Sequence, residues 1–248
     1  MSGRPLVLLH GWGLTPRVWD TLREALPRGI VVHAPAMPGH AGAPPVADPT
    51  LEAWADALLP TLPDAALLCG WSIGGMIALD LARRHPQKVA QLILVGTSPR
   101  FVSCSDPDTW PHGLETATVE GFIGSFARDP AATLNRFVAL QALGDSDRRG
   151  VAARLNAALA DACRSGVDGL AAGLQLLATT DLRPSLSQVH QPVQLLHGAR
   201  DALMPLAAAE WLAAQLPDAR LMRFDACGHA PFLSRPAECA ELIASFAA

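Results

Sequence analysis

Apolar residues along this chain fall into two alternating patterns, short unbroken runs and longer stretches with helical spacing. Leu6 to Leu9 is the first run, and others follow at 30–34, 65–69 and 89–95, separated by helix-like stretches at about 16–26, 51–59 and 73–84. Unbroken runs bounded by turn formers read as strands buried on both faces. Strands of that kind separated by helices build a mostly parallel sheet with helices on both faces. After Val95 the alternation stops. From Ser98 to about Thr180 no convincing strand occurs, and helical spacing recurs at about 115–127, 130–143, 146–163 and 167–177. The first pattern then resumes with strand 193–196, helix 206–216, strand 220–224 and helix 235–247. The expected architecture is an α/β core of residues 1–97 and 181–248, with residues 98–180 inserted as a helical lid over the C-terminal edge of the sheet.

Candidate chemistry gathers at the ends of the predicted strands. Gly70-Trp71-Ser72-Ile73-Gly74 lies between the run ending at Cys69 and the helical stretch from Met76 to Arg84. A serine on such a strand-to-helix turn projects its hydroxyl from the bend, and the start of the helix offers N–H groups to a developing negative charge. Serine needs a base, and the base needs an orienting acid. Asp201 follows the strand at 193–196, and His229 sits in the loop after the strand at 220–224, within Gly228-His229-Ala230-Pro231. The order Ser72, Asp201, His229 is that of α/β-hydrolases. Asp225, also at a strand end and nearer His229 in sequence, competes with Asp201 for the acid's role. For an oxyanion hole the N–H of Ile73 and that of Trp12 are the candidates, the latter in the Gly11-Trp12-Gly13 loop after the first strand. Of the other histidines, His33, His85, His112 and His190 read as solvated, and His197 as packing at a strand end.

Composition narrows the class. A chain of 248 residues, 50% hydrophobic and 17% charged, can bury one large core. A net charge of −4 without a long basic run argues against general nucleic-acid binding. The longest apolar stretch, Ala65 to Leu79, is broken by Ser72 and three glycines and is too short for a membrane span. Five cysteines without a paired pattern, and a start that runs into the first strand without a charged-then-apolar leader, point to the cytoplasm. No metal-ligand spacing, dinucleotide fingerprint or phosphate loop occurs, so an enzyme without metal or cofactor is expected, with a monomer as its expected state.

Across nearly its whole length the chain resembles the pimeloyl-acyl-carrier-protein methyl ester esterases of biotin synthesis. The resemblance is carried by Leu8-Leu9-His10-Gly11-Trp12-Gly13, Gly70-Trp71-Ser72-Ile73-Gly74-Gly75, Arg136-Phe137-Val138-Ala139-Leu140-Gln141, Thr180-Asp181-Leu182-Arg183 and Gly228-His229-Ala230-Pro231-Phe232. It implies hydrolysis of a methyl ester on a pimeloyl chain carried by acyl-carrier protein. It also implies an apolar acyl channel at Trp12, Trp71, Ile73 and Phe137, with Phe122 or Leu143 beside them and Gln141 among the substrate contacts. Arg136, Arg149 and Arg154 would meet the acidic carrier protein, although Ala132 stands where the family has an arginine. The short N-terminus lacks the pair of edge strands usual in the family. A general short-chain esterase or lactonase on the same fold, or a silent receptor using the pocket, are the competing readings.

Overall fold

Leu6–Leu9, the first strand (β1), is buried at every residue, and its neighbours in the sheet are strands of the same kind. The computed structural model describes residues 4–105, 109–160 and 166–247. In chain order β1 is followed by α1 (Asp20–Ala25), β2 (Val32–His33), α2 (Leu51–Leu58), β3 (Ala66–Trp71), α3 (Ile73–Arg84) and β4 (Val89–Val95). Four helices come next, α4 (Thr116–Arg128), α5 (Pro130–Gln141), α6 (Arg148–Ala160) and α7 (Val167–Thr179). The chain closes with β5 (Val193–Gly198), α8 (Leu206–Gln215), β6 (Ala219–Phe224), α9 (Pro231–Ser234) and α10 (Pro236–Ala247). The six strands form one sheet in the order β2-β1-β3-β4-β5-β6, and every neighbouring pair is parallel.

Side chains alternate across a strand, so each strand feeds two cores. Val7, Leu9, Leu68 and Leu94 enter one with α2, α3 and much of the inserted helices; Leu6, Leu8, Leu67 and Ile93 enter the other with α1 and α10. Strand order reverses between β1 and β3, because the chain runs outward to β2 before crossing back. In open parallel sheets that reversal leaves a crevice at the C-terminal strand ends, where ligands bind. Trp12 and Ser72 stand just past the paired ends of β1 and β3.

The helices α4 to α7 leave and rejoin the core at one place. Leu182 N–H donates to Pro99 O at 2.9 Å, and Arg100 bridges Asp181 at 2.7 Å. Arg183 holds the same carboxylate. Burial opposes ionisation of Asp181, but the two guanidiniums outweigh it and hold its carboxyl at about 2. Within the insertion, Asp129 caps α5 by accepting from Ala132 N–H at 3.0 Å, and Pro130 opens the helix.

Several boundaries differ from the sequence expectation. The stretch 16–26 splits into a 3-10 turn, Pro16–Trp19, and α1. The strand expected at 30–34 shrinks to β2, while β3 and β5 run two residues further than expected, through Trp71 and Gly198. Isolated β-bridges join Val102 to Leu114 and Cys104 to Trp110 in the segment before α4. The end of the helix expected at 146–163, from residue 161 on, lies outside the described residues. No helix among the described residues is long and apolar enough to cross a membrane.

Candidate active site

Ser72 occupies the turn between β3 and α3 with φ 58° and ψ −123°, a region that disfavours any residue with a Cβ. Neighbouring glycines make the bend possible. A Cβ on Gly70 would meet the backbone of Gly74 and Gly75, one on Gly74 would fall 2.7 Å from His10 O, and one on Gly75 would run into Thr97. Ser72 N–H donates to Val95 O at 2.9 Å, which ties the turn to β4. Ser72 O accepts from the N–H groups of Gly75 and Met76, so those of Ile73 and Gly74 begin the helix without an intrahelical acceptor. The Ser72 hydroxyl makes no hydrogen bond to a described residue, and Ser72 is buried, 4% exposed.

Asp201 and His229 meet although 28 residues separate them. His229 Nδ1–H donates to Asp201 Oδ2 at 2.7 Å, and both side chains are buried. Asp201 Oδ1 accepts from Leu203 and Met204 N–H, each at 2.9 Å, which fixes the carboxylate plane. Burial works against its charge, but His229, with His197 and the backbone donors, holds the carboxyl below its ordinary value. With Nδ1 so engaged, His229 Nε2 is left as a buried nitrogen without a partner. His197 supports the acid's loop: its Nε2–H donates to Met204 O at 2.7 Å, and burial keeps the ring neutral. Asp225, the rival acid, is exposed and pairs with Arg223 at 2.7 Å.

The loop after β1 is held by two histidines that sequence reasoning passed over. His40 Nε2 accepts from Gly13 N–H and His10 Nε2 from Met37 N–H, both at 3.1 Å. Their Nδ1–H groups face Pro38 O and Gly11 O at 2.9 Å. Burial, aided for His10 by its neighbour, lowers His10 to about 3, and burial lowers His40 to about 4, so both stay neutral acceptors. Between the two anchored glycines, Gly11 and Gly13, stands Trp12, whose backbone N–H makes no hydrogen bond among the described residues. Its indole N–H donates to Leu170 O in α7 at 2.7 Å. The signal available in the sequence was a histidine beside glycine in each of two separate loops, His10-Gly11 and Gly39-His40, which reads equally well as solvated turn chemistry.

An apolar pocket opens beside these loops, walled by Phe101, Val119, Phe122, Phe137, Leu140, Leu174 and Leu203. Phe137 and Phe122 both line this pocket. The Trp12 ring packs edge-on against both, 5.0 and 6.0 Å between centroids. Trp71 does not line this pocket. Strand alternation turns it to the opposite face, where its ring packs on Gly11 and Phe232 and its Nε1–H donates to His229 O at 2.9 Å. Leu143 is also outside, at 39% exposure. Ile73 is wholly buried in the core beneath the turn. Gln141 is buried, accepts from His229 N–H at 3.3 Å through its carbonyl, and keeps an unpartnered Nε2. Arg136 and Arg149 are exposed on α5 and α6 and form no ion pair with a described residue, whereas Arg154 pairs with Asp147 at 3.2 Å.

A serine on a strained turn and a buried acid–histidine pair, both past the C-terminal ends of a parallel sheet, form the arrangement expected of an α/β-hydrolase. The chain belongs to the alpha/beta hydrolase family, whose defining pattern matches residues 6–242. It is 64% identical over 245 residues to the pimeloyl-[acyl-carrier protein] methyl ester esterase of Aromatoleum aromaticum, covering 98% of both chains. To the protein of that name from Nitrosomonas europaea it is 42% identical, over 95% of this chain and 92% of the relative. Among solved structures, an esterase from Exiguobacterium antarcticum superposes with a TM-score of 0.87 at 23% identity, over 99% of this chain and 92% of that one. That likeness speaks to the fold alone.

Proposed function

We propose that this chain is a serine carboxylesterase that removes the methyl ester from pimeloyl-acyl-carrier protein in biotin synthesis. The chemistry rests on one observation, the His229 ring held by Asp201 with its far nitrogen buried and unpartnered near a strained serine turn. The substrate rests on the full-length likeness to esterases of that name.

In this reading His229 Nε2 takes the proton of Ser72 Oγ as the oxygen attacks the ester carbonyl. Asp201 keeps the ring in the tautomer that leaves Nε2 free, and stabilises the cation that forms. The N–H groups of Ile73 and Trp12 receive the oxyanion of the tetrahedral intermediate. Collapse expels methoxide, which leaves as methanol with the proton from His229. Water then adds to the acyl-enzyme by the same route and releases the free carboxylate. The apolar wall around Phe137 takes the pimeloyl methylenes, and helices α4 to α7 serve as the lid. Arg136 and Arg149 offer unpaired positive charge to the acidic carrier in the cytoplasm.

The test is conversion of pimeloyl methyl ester on acyl-carrier protein to the free acid, followed as a mass loss of one methylene. Complementation of a biotin-requiring strain lacking its methyl ester esterase supplies the second arm, with Ser72→Ala as control. Hydrolysis of small esters without turnover of the carrier-bound ester would make the chain a general esterase.

A further inference from the structure

The link between α5 and α6 does more than connect two helices. Residues 141–147 lie against the loop that carries His229 and touch the loop that carries Asp201. Gln141 O accepts from His229 N–H at 3.3 Å, and Ser146 N–H donates to Ala226 O at 2.8 Å. Gly144 adopts φ +85° and packs so tightly on Arg200, the residue before Asp201, that a Cβ there would overlap Arg200 O. At the centre stands Asp145, 8% exposed. Its Oδ2 accepts from Gly228 N–H at 3.1 Å and from the Ser234 hydroxyl of α9 at 2.9 Å, while its Oδ1 accepts from Asp147 N–H at 2.8 Å. Gly228 precedes His229, so the two consecutive backbone N–H groups that lead into the histidine are both held by this one link. A Cβ on Gly228 would fall 2.5 Å from Leu143 O, so the approach requires glycine there.

We propose that Asp145 is a positioning residue for His229, holding the general base in register with Ser72 through Gly228. The inference rests on the functional reading above, since it assumes that His229 is the base. A carboxylate suits the place because it meets three donors at once, and an amide cannot. Asparagine at 145 must turn its NH2 toward either Gly228 N–H or Asp147 N–H, leaving a buried donor facing a donor. A displaced base lowers turnover more than binding, because ground-state contacts to the acyl chain lie elsewhere.

The experiment measures p-nitrophenyl butyrate hydrolysis and the downfield proton of the His229–Asp201 hydrogen bond in five proteins: wild type, Ser72→Ala, Asp145→Asn, Ser234→Ala and Leu155→Ala. Leu155 is buried on α6 and serves as a control for destabilisation alone. Asp145→Asn is expected to lower kcat by about ten- to a hundredfold with KM within about twofold, and to shift or broaden that proton. Ser234→Ala, which removes one of the three donors, is expected to do the same to a smaller extent. Leu155→Ala is expected to lower Tm and leave the proton in place. If Asp145→Asn folds and leaves kcat and the proton unchanged, the inference is overturned; if it does not fold, an unchanged proton and kcat in Ser234→Ala overturn it. Persistent turnover in Ser72→Ala would instead overturn the functional reading, which the proton measurement does not depend on.

Discussion

Asp201 Oδ2 receives the Nδ1–H of His229 at 2.7 Å while Asp201 Oδ1 is occupied by two backbone N–H groups. The carboxylate therefore cannot rotate away from the ring without losing donors on its other side. A short loop after β5 and another after β6, adjacent parallel strands, bring the pair together.

That geometry sets the order of losses expected on mutation. Ser72→Ala and His229→Ala should each lower kcat on any ester substrate by about four orders of magnitude or more, and the double variant should lose little further. Asp201→Asn should cost roughly as much, by permitting the wrong tautomer. Asp225→Asn should stay within about twofold, because that side chain is 77% exposed and paired with Arg223. A stopped assay across the five variants checks this, and a larger loss for Asp225→Asn than for Asp201→Asn would reverse the acid assignment.

The pocket wall should act through binding. Phe137→Ala removes an aromatic face that contacts Trp12 and Phe122. KM for a medium-chain acyl ester is expected to rise about tenfold with kcat within about threefold, since the acyl contact is the same in ground and transition states. An acetyl ester, which does not reach the wall, should show little change. Saturation curves on both esters decide it.

Charge on the inserted helices gives a substrate-dependent effect. The Arg136→Glu, Arg149→Glu pair should slow turnover of a carrier-bound ester by about tenfold at low salt and flatten its salt dependence, because steering is screened over about 8–10 Å. A small soluble ester should be unaffected. Arg154→Glu alone should matter less, since its guanidinium is already shared with Asp147.

Acid should weaken the fold through the pair under the Trp12 loop. His10 and His40 stay neutral down to about 3 and about 4, whereas the unfolded chain protonates them below the ordinary 6.5. The unfolded state then binds more protons, so stability falls as pH falls, by about 1.4 kcal/mol per unit for each ring. Asp201, whose carboxyl is held low, contributes stability that disappears in the same direction at still lower pH. Urea unfolding from about pH 7 to pH 5 should show this slope, and His40→Gln should remove about half of it.

Much of this was legible because buried parallel strands are apolar throughout. Val7, Leu68 and Leu94 needed no partner's sequence to be placed in strands. The strand ends were harder: Gly70, Trp71, His197 and Gly198 interrupt the apolar run yet remain in the ladder, since the sheet buries them against backbone and aromatic neighbours. Ser72, Asp201 and His229 could be named because each follows a strand at a motif-bearing turn. Trp71 could not be oriented, because its one-residue offset from Ser72 decides its face. His10, His40 and Asp145 escaped for a different reason. Their partners are backbone groups of distant loops, and a backbone N–H carries no signature in sequence.

Gly39 and Gly169 meet where neither has a side chain, a Cβ on either falling 2.6 Å from the other's Cα. Gly39 belongs to the loop beside His40, and Gly169 to the first turn of α7, one residue before the carbonyl that receives the Trp12 indole. Leu174, further along the same helix, walls the pocket. A methyl group at either glycine would act as a wedge, tilting α7, loosening the indole and widening the apolar pocket together. The width of that apolar pocket is thus open to drift at two positions outside its wall.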